Sequence, residues 1–258
     1  MGDTKSNNNN NKRKRYFNHG NNKKQNVQHL FQDGMKGLLV TCNNREVEAL
    51  KETYNIVQQY IDRLPVQEEK KLETDVDAAI KQEVIELTAK QGSKFRQVNT
   101  RCNNVIFVNI PEKQVDPLKL VHDLFKEVET SKGEVNARFV NRITPVETTC
   151  KATVESVTKS VEELLGEKNE SEASFMVICK IRNNNDLKRM DFVESVADTV
   201  KQLRPKWTVN FTEPKIVLNI DIMIKAACLA FIPDYFSLKK YNILEYSSHL
   251  KQENTIHL

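Results

Sequence analysis

The residues best suited to chemistry are cations and amides gathered around one stretch, Lys180-Ile181-Arg182-Asn183-Asn184-Asn185-Asp186-Leu187-Lys188-Arg189. Lys180, Arg182, Lys188 and Arg189 meet a single acid there, Asp186, and they bracket three successive amides. A strand ending on Lys and Arg, three Asn and then a helix start form a donor-rich corner. Open N–H groups at a helix start attract phosphate, Arg and Lys neutralise it, and Asn side chains reach phosphate, sugar or base edges. On composition alone the corner reads equally as a phosphate contact and as a solvated polar turn. A second group is Arg138, Arg142 and Lys151. Alternation with Phe139 and Ile143 puts both arginines on one strand face, and Lys151 opens the next helix. The bland reading is a polar sheet face covered by acidic helices. Lys215 and Lys225 flank apolar strands. Lys225, between Ile224 and Ala226, must snorkel, pair with an acid such as Asp221, or meet a ligand phosphate.

Catalytic constellations are missing by contrast. The sequence has seven Gly and no GxGxxG or GxxxxGK pattern, so no phosphate-cradling loop is expected. It has no GxSxG elbow and no HExxH pair. Of the five His, only His122 falls in a clear element, and a lone helical His is more often a packing or surface residue than a base. The five Cys are scattered without a CxxC pair, which argues against zinc and for buried reduced thiols. Cys150 and Cys179 have no His partner in sequence, so neither reads as a nucleophile. The expectation is a binding module with no catalytic residue, no metal and no cofactor.

The charge is unevenly placed. Residues 1–30 hold seven Lys/Arg against one acid, Asp3, an excess larger than the +4 of all 258 residues. The rest of the chain is therefore net acidic, and nucleic-acid binding by it needs a local patch. Residues 131–258 hold 18 Lys/Arg against 17 Asp/Glu and are the more basic part of that remainder. With its Asn tract and few large apolar residues, the 1–30 segment is expected to be a disordered tail, and its Lys12-Arg13-Lys14-Arg15 run suits a nuclear address or a nucleic-acid arm. No apolar run reaches the roughly 20 residues of a membrane span, and the N-terminus lacks the apolar core of a secretory signal.

The elements that must position these groups alternate between strand and helix periods, which argues for α/β or α+β sheets with packed helices. Gly37–Cys42 reads as a strand, and Asn43 or Asn44 caps a helix to Arg63 with Val47, Leu50, Tyr54, Val57 and Ile61 inward. A further helix spans Ala79 to Leu87, followed by strands at 95–98 and 105–110. Pro117 opens a helix after Asp116, and Arg138–Ile143 is a strand. Thr148 or Thr149 caps a helix from Cys150 to Leu165; 174–181 is a strand and 187–203 a helix. Strands at 207–209, 215–222 and 224–231 precede an aromatic C-terminal helix that frays past Ser247.

In order and spacing, Arg142-Ile143-Thr144-Pro145, Cys150-Lys151-Ala152, Phe175–Ile181 with Arg182-Asn183-Asn184, Val209–Pro214, Val217–Ile222 and Ile224-Lys225-Ala226 resemble the THUMP domain, an RNA-binding module of tRNA-modifying proteins. Gly37–Cys42 and Asn103–Val108 look like the ferredoxin-like domain that precedes THUMP. Two departures stand out: Cys179 lies where relatives often carry an aromatic, and Asn210 replaces the Asp of the usual Val-Asp-Leu-x-Asn-Pro. The resemblance implies a tail at 1–30, a ferredoxin-like domain at 31–114, an α/β THUMP domain at 115–235 and a C-terminal helix and tail at 236–258. With no catalytic domain in view, the layout is similar to the THUMP-domain-containing protein 1 family. That implies a monomeric, non-enzymatic adaptor, nuclear and nucleolar with a share in the cytoplasm. Such an adaptor binds serine and leucine tRNAs for N4-acetylcytidine formation in the D arm. The chemistry, with acetyl-CoA and ATP, then belongs to a partner RNA cytidine acetyltransferase. Arg138, Arg142, Lys151, Lys180, Arg182, Asn183, Asn184, Arg189, Lys215 and Lys225 are the expected RNA contacts. A methyl- or thio-transferase with an atypical core and a general RNA-binding scaffold are the competing readings.

Overall fold

A computed structural model describes residues 30–64, 95–111 and 115–256. The basic tail before residue 30 and the helix expected at Ala79–Leu87 lie outside them. Two sheets and five α-helices make up the described fold.

The first sheet has strands β1 (Gly37–Cys42), β2 (Arg96–Val98), β3 (Val105–Asn109) and β4 (Val140–Val146), ordered β2-β3-β1-β4 with every pair antiparallel. Helices α1 (Glu46–Arg63) and α2 (Pro117–Thr130) cover one of its faces. The second sheet has β5 (Thr148–Lys151), β6 (Ser174–Arg182), β7 (Thr208–Val209), β8 (Ile216–Met223) and β9 (Ala226–Pro233), ordered β5-β9-β8-β6-β7. Its β6 is parallel to β7 and β8, while β9 is antiparallel to β8 and β5. Helices α3 (Val154–Gly166) and α4 (Arg189–Leu203) pack on one side of it around Phe175, Phe192, Trp207, Leu218 and Leu229.

The unit boundary falls later than the sequence suggests. Helix α2 and strand β4 belong to the first sheet, not to a unit beginning at residue 115, because β4 pairs along the whole of β1 from Gly37↔Val146 to Cys42↔Val140. A tight junction at Glu147 then passes the chain into the second sheet. Thr148 and Thr149 do not cap a helix; Thr148–Lys151 is a strand against β9, and Thr153 caps α3 by accepting from Ser156 N. Asn44 does not cap α1 either. It turns left-handed at φ 56°, donates its backbone N–H to Asn104 Oδ1, and leaves Arg45 at the cap position without a side-chain capping bond. The C-terminal helix α5 runs Ile243–Ile256, past the point where fraying was expected.

The second sheet turns the face away from its helices toward the first unit. Met223 and Cys228 share a cluster with Leu39, Phe107 and Val146 of the first sheet. Val217, Ala230 and Ile232 join the core of α1, α2, Tyr241 and Ile243. Segment 32–35 straps the outer edge of β5: Gly34 N and Met35 N donate to Thr149 O (2.7 Å) and Oγ1 (3.0 Å), and Thr149 Oγ1 donates to Gln32 O (2.6 Å).

The entry to β4 is fixed by one carboxylate. Glu52 on α1 accepts from three successive backbone N–H groups, of Arg138 (2.6 Å), Phe139 (2.8 Å) and Val140 (2.9 Å). Charge-assisted bonds of this kind are the stronger ones, and their loss strands backbone donors at a half-buried place. Glu52→Ala is expected to lower stability by about 2 kcal/mol in urea unfolding; an unchanged midpoint would contradict the role given to this clamp.

Candidate nucleic-acid interface

Strands β6 and β8 are parallel and so finish at the same end of the second sheet. β5 ends there as well, and the helices that follow β5 and β6 begin there. The hairpin between β8 and β9 closes the same rim. Its Ile224 N donates to Arg182 O at 3.1 Å, and Ala152 N donates to Lys225 O at 2.9 Å. Lys151, Asn183, Asn184, Arg189 and Lys225 are thereby brought to one edge, together with Lys188. Lys151, Lys188, Arg189 and Lys225 are exposed, and among the described residues none of them is in an ion pair. Helix α4 begins after Lys188 with no side-chain cap, so its first-turn N–H groups stay open to an anion at this rim.

Arg182 plays a different part. Its guanidinium is ion-paired to Asp221, a carboxylate only 2% exposed in the middle of β8, whose other oxygen accepts from Asn219 Nδ2 at 2.8 Å. A buried carboxylate without a cation is very unfavourable, so Arg182 is committed to neutralising it. The two Asn of the motif are also committed. Asn183 donates across the unit boundary to Arg101 O at 2.8 Å. Asn184 donates to Ile224 O at 2.6 Å and accepts from Asp186 N at 3.0 Å, which ties the β6–α4 turn to the β8–β9 turn. Their amides hold the edge in shape through these bonds. Asn185 is exposed, with no bond to another described residue.

The remaining expected contacts are not on this rim. Lys180 lies on the sheet face turned to the first unit, donating to Tyr235 Oη at 3.4 Å and standing 6.0 Å from that ring's centre. Arg142 is on β4, with its backbone bridged to Asn242. Arg138 precedes β4 beside α1 and does not alternate with Arg142 on one strand. Lys151 ends β5 in the second sheet, whereas Arg142 is on β4 in the first, so the three do not share a strand. Lys215 sits at the opposite end of β8, where its backbone N–H meets Ser174 Oγ at 3.0 Å. Lys225 is explained without snorkelling or pairing to Asp221, since it tips the β8–β9 turn and Arg182 already holds that acid. Lys188 is not among the expected contacts, although it adjoins Arg189 and stands on the rim. Arg101 has no sequence signal at all, since 82 residues separate it from Asn183.

Among the described residues no group of three or more His, Cys, Asp or Glu is placed to hold a metal ion. His122 approaches only Asp234, at 3.8 Å on another surface. All five Cys are buried and unbridged. Burial pushes the Cys150 and Cys179 thiols up to about 11, the opposite of what a nucleophile requires. No helix among the described residues is long and apolar enough to cross a membrane.

Comparison with known proteins follows this division of the chain. The THUMP domain model matches residues 151–231, the stretch that holds α3, β6, α4, β7, β8 and most of β9. The chain is 28% identical over 230 residues to THUMP domain-containing protein 1 of Mus musculus, covering 83% of this chain and 65% of that protein. It therefore spans just under two thirds of the mouse protein. It is 24% identical over 243 residues to a protein of Saccharomyces cerevisiae named tRNA acetyltransferase TAN1, covering 82% of each. Among solved structures, PH1313 from Pyrococcus horikoshii is similar at a TM-score of 0.45 and 14% identity, over 76% of this chain and 54% of that one.

Two outcomes follow from the site's electrostatics. Asp221→Ala leaves Arg182 unpaired in a largely buried place and is expected to cost about 3 kcal/mol, with Asp221→Asn costing less, as read by urea unfolding. Equal stability of both variants with the parent would mean that the pair does not brace the edge. The thiols give a pH dependence. From an ordinary value of 9.0, Cys150 and Cys179 are raised to about 11, so the folded chain keeps protons that the unfolded chain loses. Their contribution to stability is full below pH 9 and is lost as pH rises toward 11. Iodoacetamide at pH 8 should therefore leave the native thiols unmodified and label them only after unfolding.

Proposed function

We propose that this chain is a non-catalytic tRNA-binding adaptor that presents folded tRNA to a separate modifying enzyme. The observation that carries the reading is the edge of the THUMP domain, where Lys151, Lys188, Arg189 and Lys225 stand exposed and unpaired among the described residues beside an uncapped helix start. Cations arranged this way neutralise phosphate without demanding a base sequence, which suits recognition of folded RNA by shape and backbone. The raised thiols of Cys150 and Cys179 are poorly suited to nucleophilic chemistry and support a binding role.

The enzyme partner is inferred from the relatives. The yeast relative's name joins it to tRNA acetylation. On that basis the partner is an RNA cytidine acetyltransferase that supplies the acetyl-CoA and ATP chemistry, and the product is N4-acetylcytidine in the D arm. The resemblance to the family suggests serine and leucine tRNAs as the cargo. In this scheme the present chain contributes affinity and orientation, which raise the partner's rate by holding the reactive cytidine in reach.

Fluorescence anisotropy with a labelled tRNA at 50–200 mM salt tests the reading. Binding should weaken with salt, and replacing Lys151, Arg189 or Lys225 singly by Ala should lower the slope by about 0.7–0.9 each. Lys215→Ala, at the other end of β8, should change neither slope nor affinity. Unaltered binding after all three edge cations are replaced would overturn the assignment of the edge. In a reaction with tRNA, acetyl-CoA and ATP, the chain alone should form no acetylcytidine; turnover by it alone would overturn the adaptor role.

A further inference from the structure

The edge does not end where the THUMP domain ends. The β2–β3 turn of the first sheet meets it at Asn183, and that turn is closely hydrogen-bonded. Arg101 N donates to Asn99 Oδ1 at 2.9 Å, Cys102 N donates to Thr100 Oγ1 at 3.2 Å, and Thr100 Oγ1 donates to Val105 O at 2.7 Å. Thr100 and Cys102 are buried beneath the turn. On its far side Asn104 accepts Asn44 N at 2.8 Å, and its own N–H donates to Glu46 Oε1 at 2.6 Å. The turn is therefore pinned from below and from the side.

What this frame presents is Arg101. Its backbone is left-handed at φ 53°, a conformation that a residue with a long side chain rarely adopts. Its side chain is exposed, and no acid among the described residues pairs with it. Its carbonyl accepts the Asn183 amide at 2.8 Å, and Asn183 is itself left-handed at φ 54°. Two left-handed residues thus face one another across the unit boundary, joined by a side-chain bond. Arg182 lies close enough to draw the buried Cys102 thiol down against the stronger upward effect of burial, which places the exit of β6 next to this turn by a second route. The bonded turn fixes where the Arg101 side chain leaves the backbone, and its guanidinium offers two parallel donors to a phosphate.

We propose that Arg101 is a phosphate contact contributed by the first unit beside the THUMP edge, with Asn183 as its positioning residue. The inference rests on the tRNA-binding reading of that edge. It goes beyond that reading in naming a contact outside the THUMP domain and in giving Asn183 a role that acts through another residue.

The test uses the full chain and an unmodified tRNA transcript in the anisotropy titration. Arg101→Ala and Arg101→Gln should each weaken binding about 3- to 10-fold at 100 mM salt and lower the salt slope by about 0.7–0.9. Arg101→Lys should restore the slope but only part of the affinity, because an ammonium lacks the fork. Asn183→Ala should weaken binding in the parent and have no further effect in the Arg101→Ala background, a coupling that a purely structural role for Asn183 does not produce. If the parent binds with the expected salt dependence while both Arg101→Ala and Arg101→Gln match it in affinity and slope, the contact is wrong and the THUMP edge stands. If the parent itself does not bind the transcript, the underlying reading fails and this inference with it.

Discussion

A single buried carboxylate organises the functional half of this molecule. Asp221 lies in the middle of β8, 2% exposed, and must be neutralised where it sits. Arg182 from the neighbouring strand and Asn219 from its own strand do so. Because β6 and β8 are parallel and in register from Phe175↔Ile216 to Arg182↔Met223, this pairing fixes how both strands end. Everything presented at that end depends on it: the turn of Asn183 and Asn184, the uncapped start of α4, and the β8–β9 tip that carries Lys225. The cost is that one prominent cation of the motif is withdrawn from ligand binding. Asn219 Oδ1 shares this buried network and has no hydrogen-bond partner among the described residues.

The rest of the architecture holds that edge against the first unit. The second sheet has helices on one face only, and its other face would be an exposed apolar surface if the first sheet did not cover it. Met223 and Cys228, near the functional end, pack on Leu39, Phe107 and Val146. At the junction Glu147 accepts from Phe231 N at 2.6 Å and from Lys168 Nζ at 2.6 Å, so the crossing point between the sheets is itself anchored. A rigid joint of this kind suits a protein whose proposed task is to hold one large ligand in a fixed orientation.

Much of this was readable in the sequence, and the failures have physical causes. The strands at 37–42, 105–109, 174–182 and 216–223 were visible as β-branched apolar runs between Asn and Pro breaks. Helix periods are visible too: in α1 Val57 is buried and Leu50, Tyr54 and Ile61 pack against the core as their spacing predicts. Val47 is 64% exposed, while Thr53 is buried because its hydroxyl donates to Ala49 O at 2.7 Å, a bond that apolar patterning does not anticipate. The boundary between units was misplaced because strand pairing is non-local: nothing near β4 announces that its partner is β1, about a hundred residues earlier. The cation cluster is legible in the sequence, but charge alone does not sort its members. Only coordinates separate Lys151, Arg189 and Lys225, which face solvent, from Arg182, which faces Asp221, and from Lys215, eight strand residues away at the other end of β8. Arg101 could not have been found, since its link to the edge is a single bond across 82 residues.

The most direct measurement of the central claim is ultraviolet crosslinking of the purified chain to tRNA, with the attached peptides identified by mass spectrometry. Crosslinks are expected on peptides spanning Asn183–Arg189 and Ile224–Ala226, at the rim that Arg182 and Asp221 brace. Crosslinks confined to the acidic outer surface of α3, or to the Lys215 end of the sheet, would contradict the account.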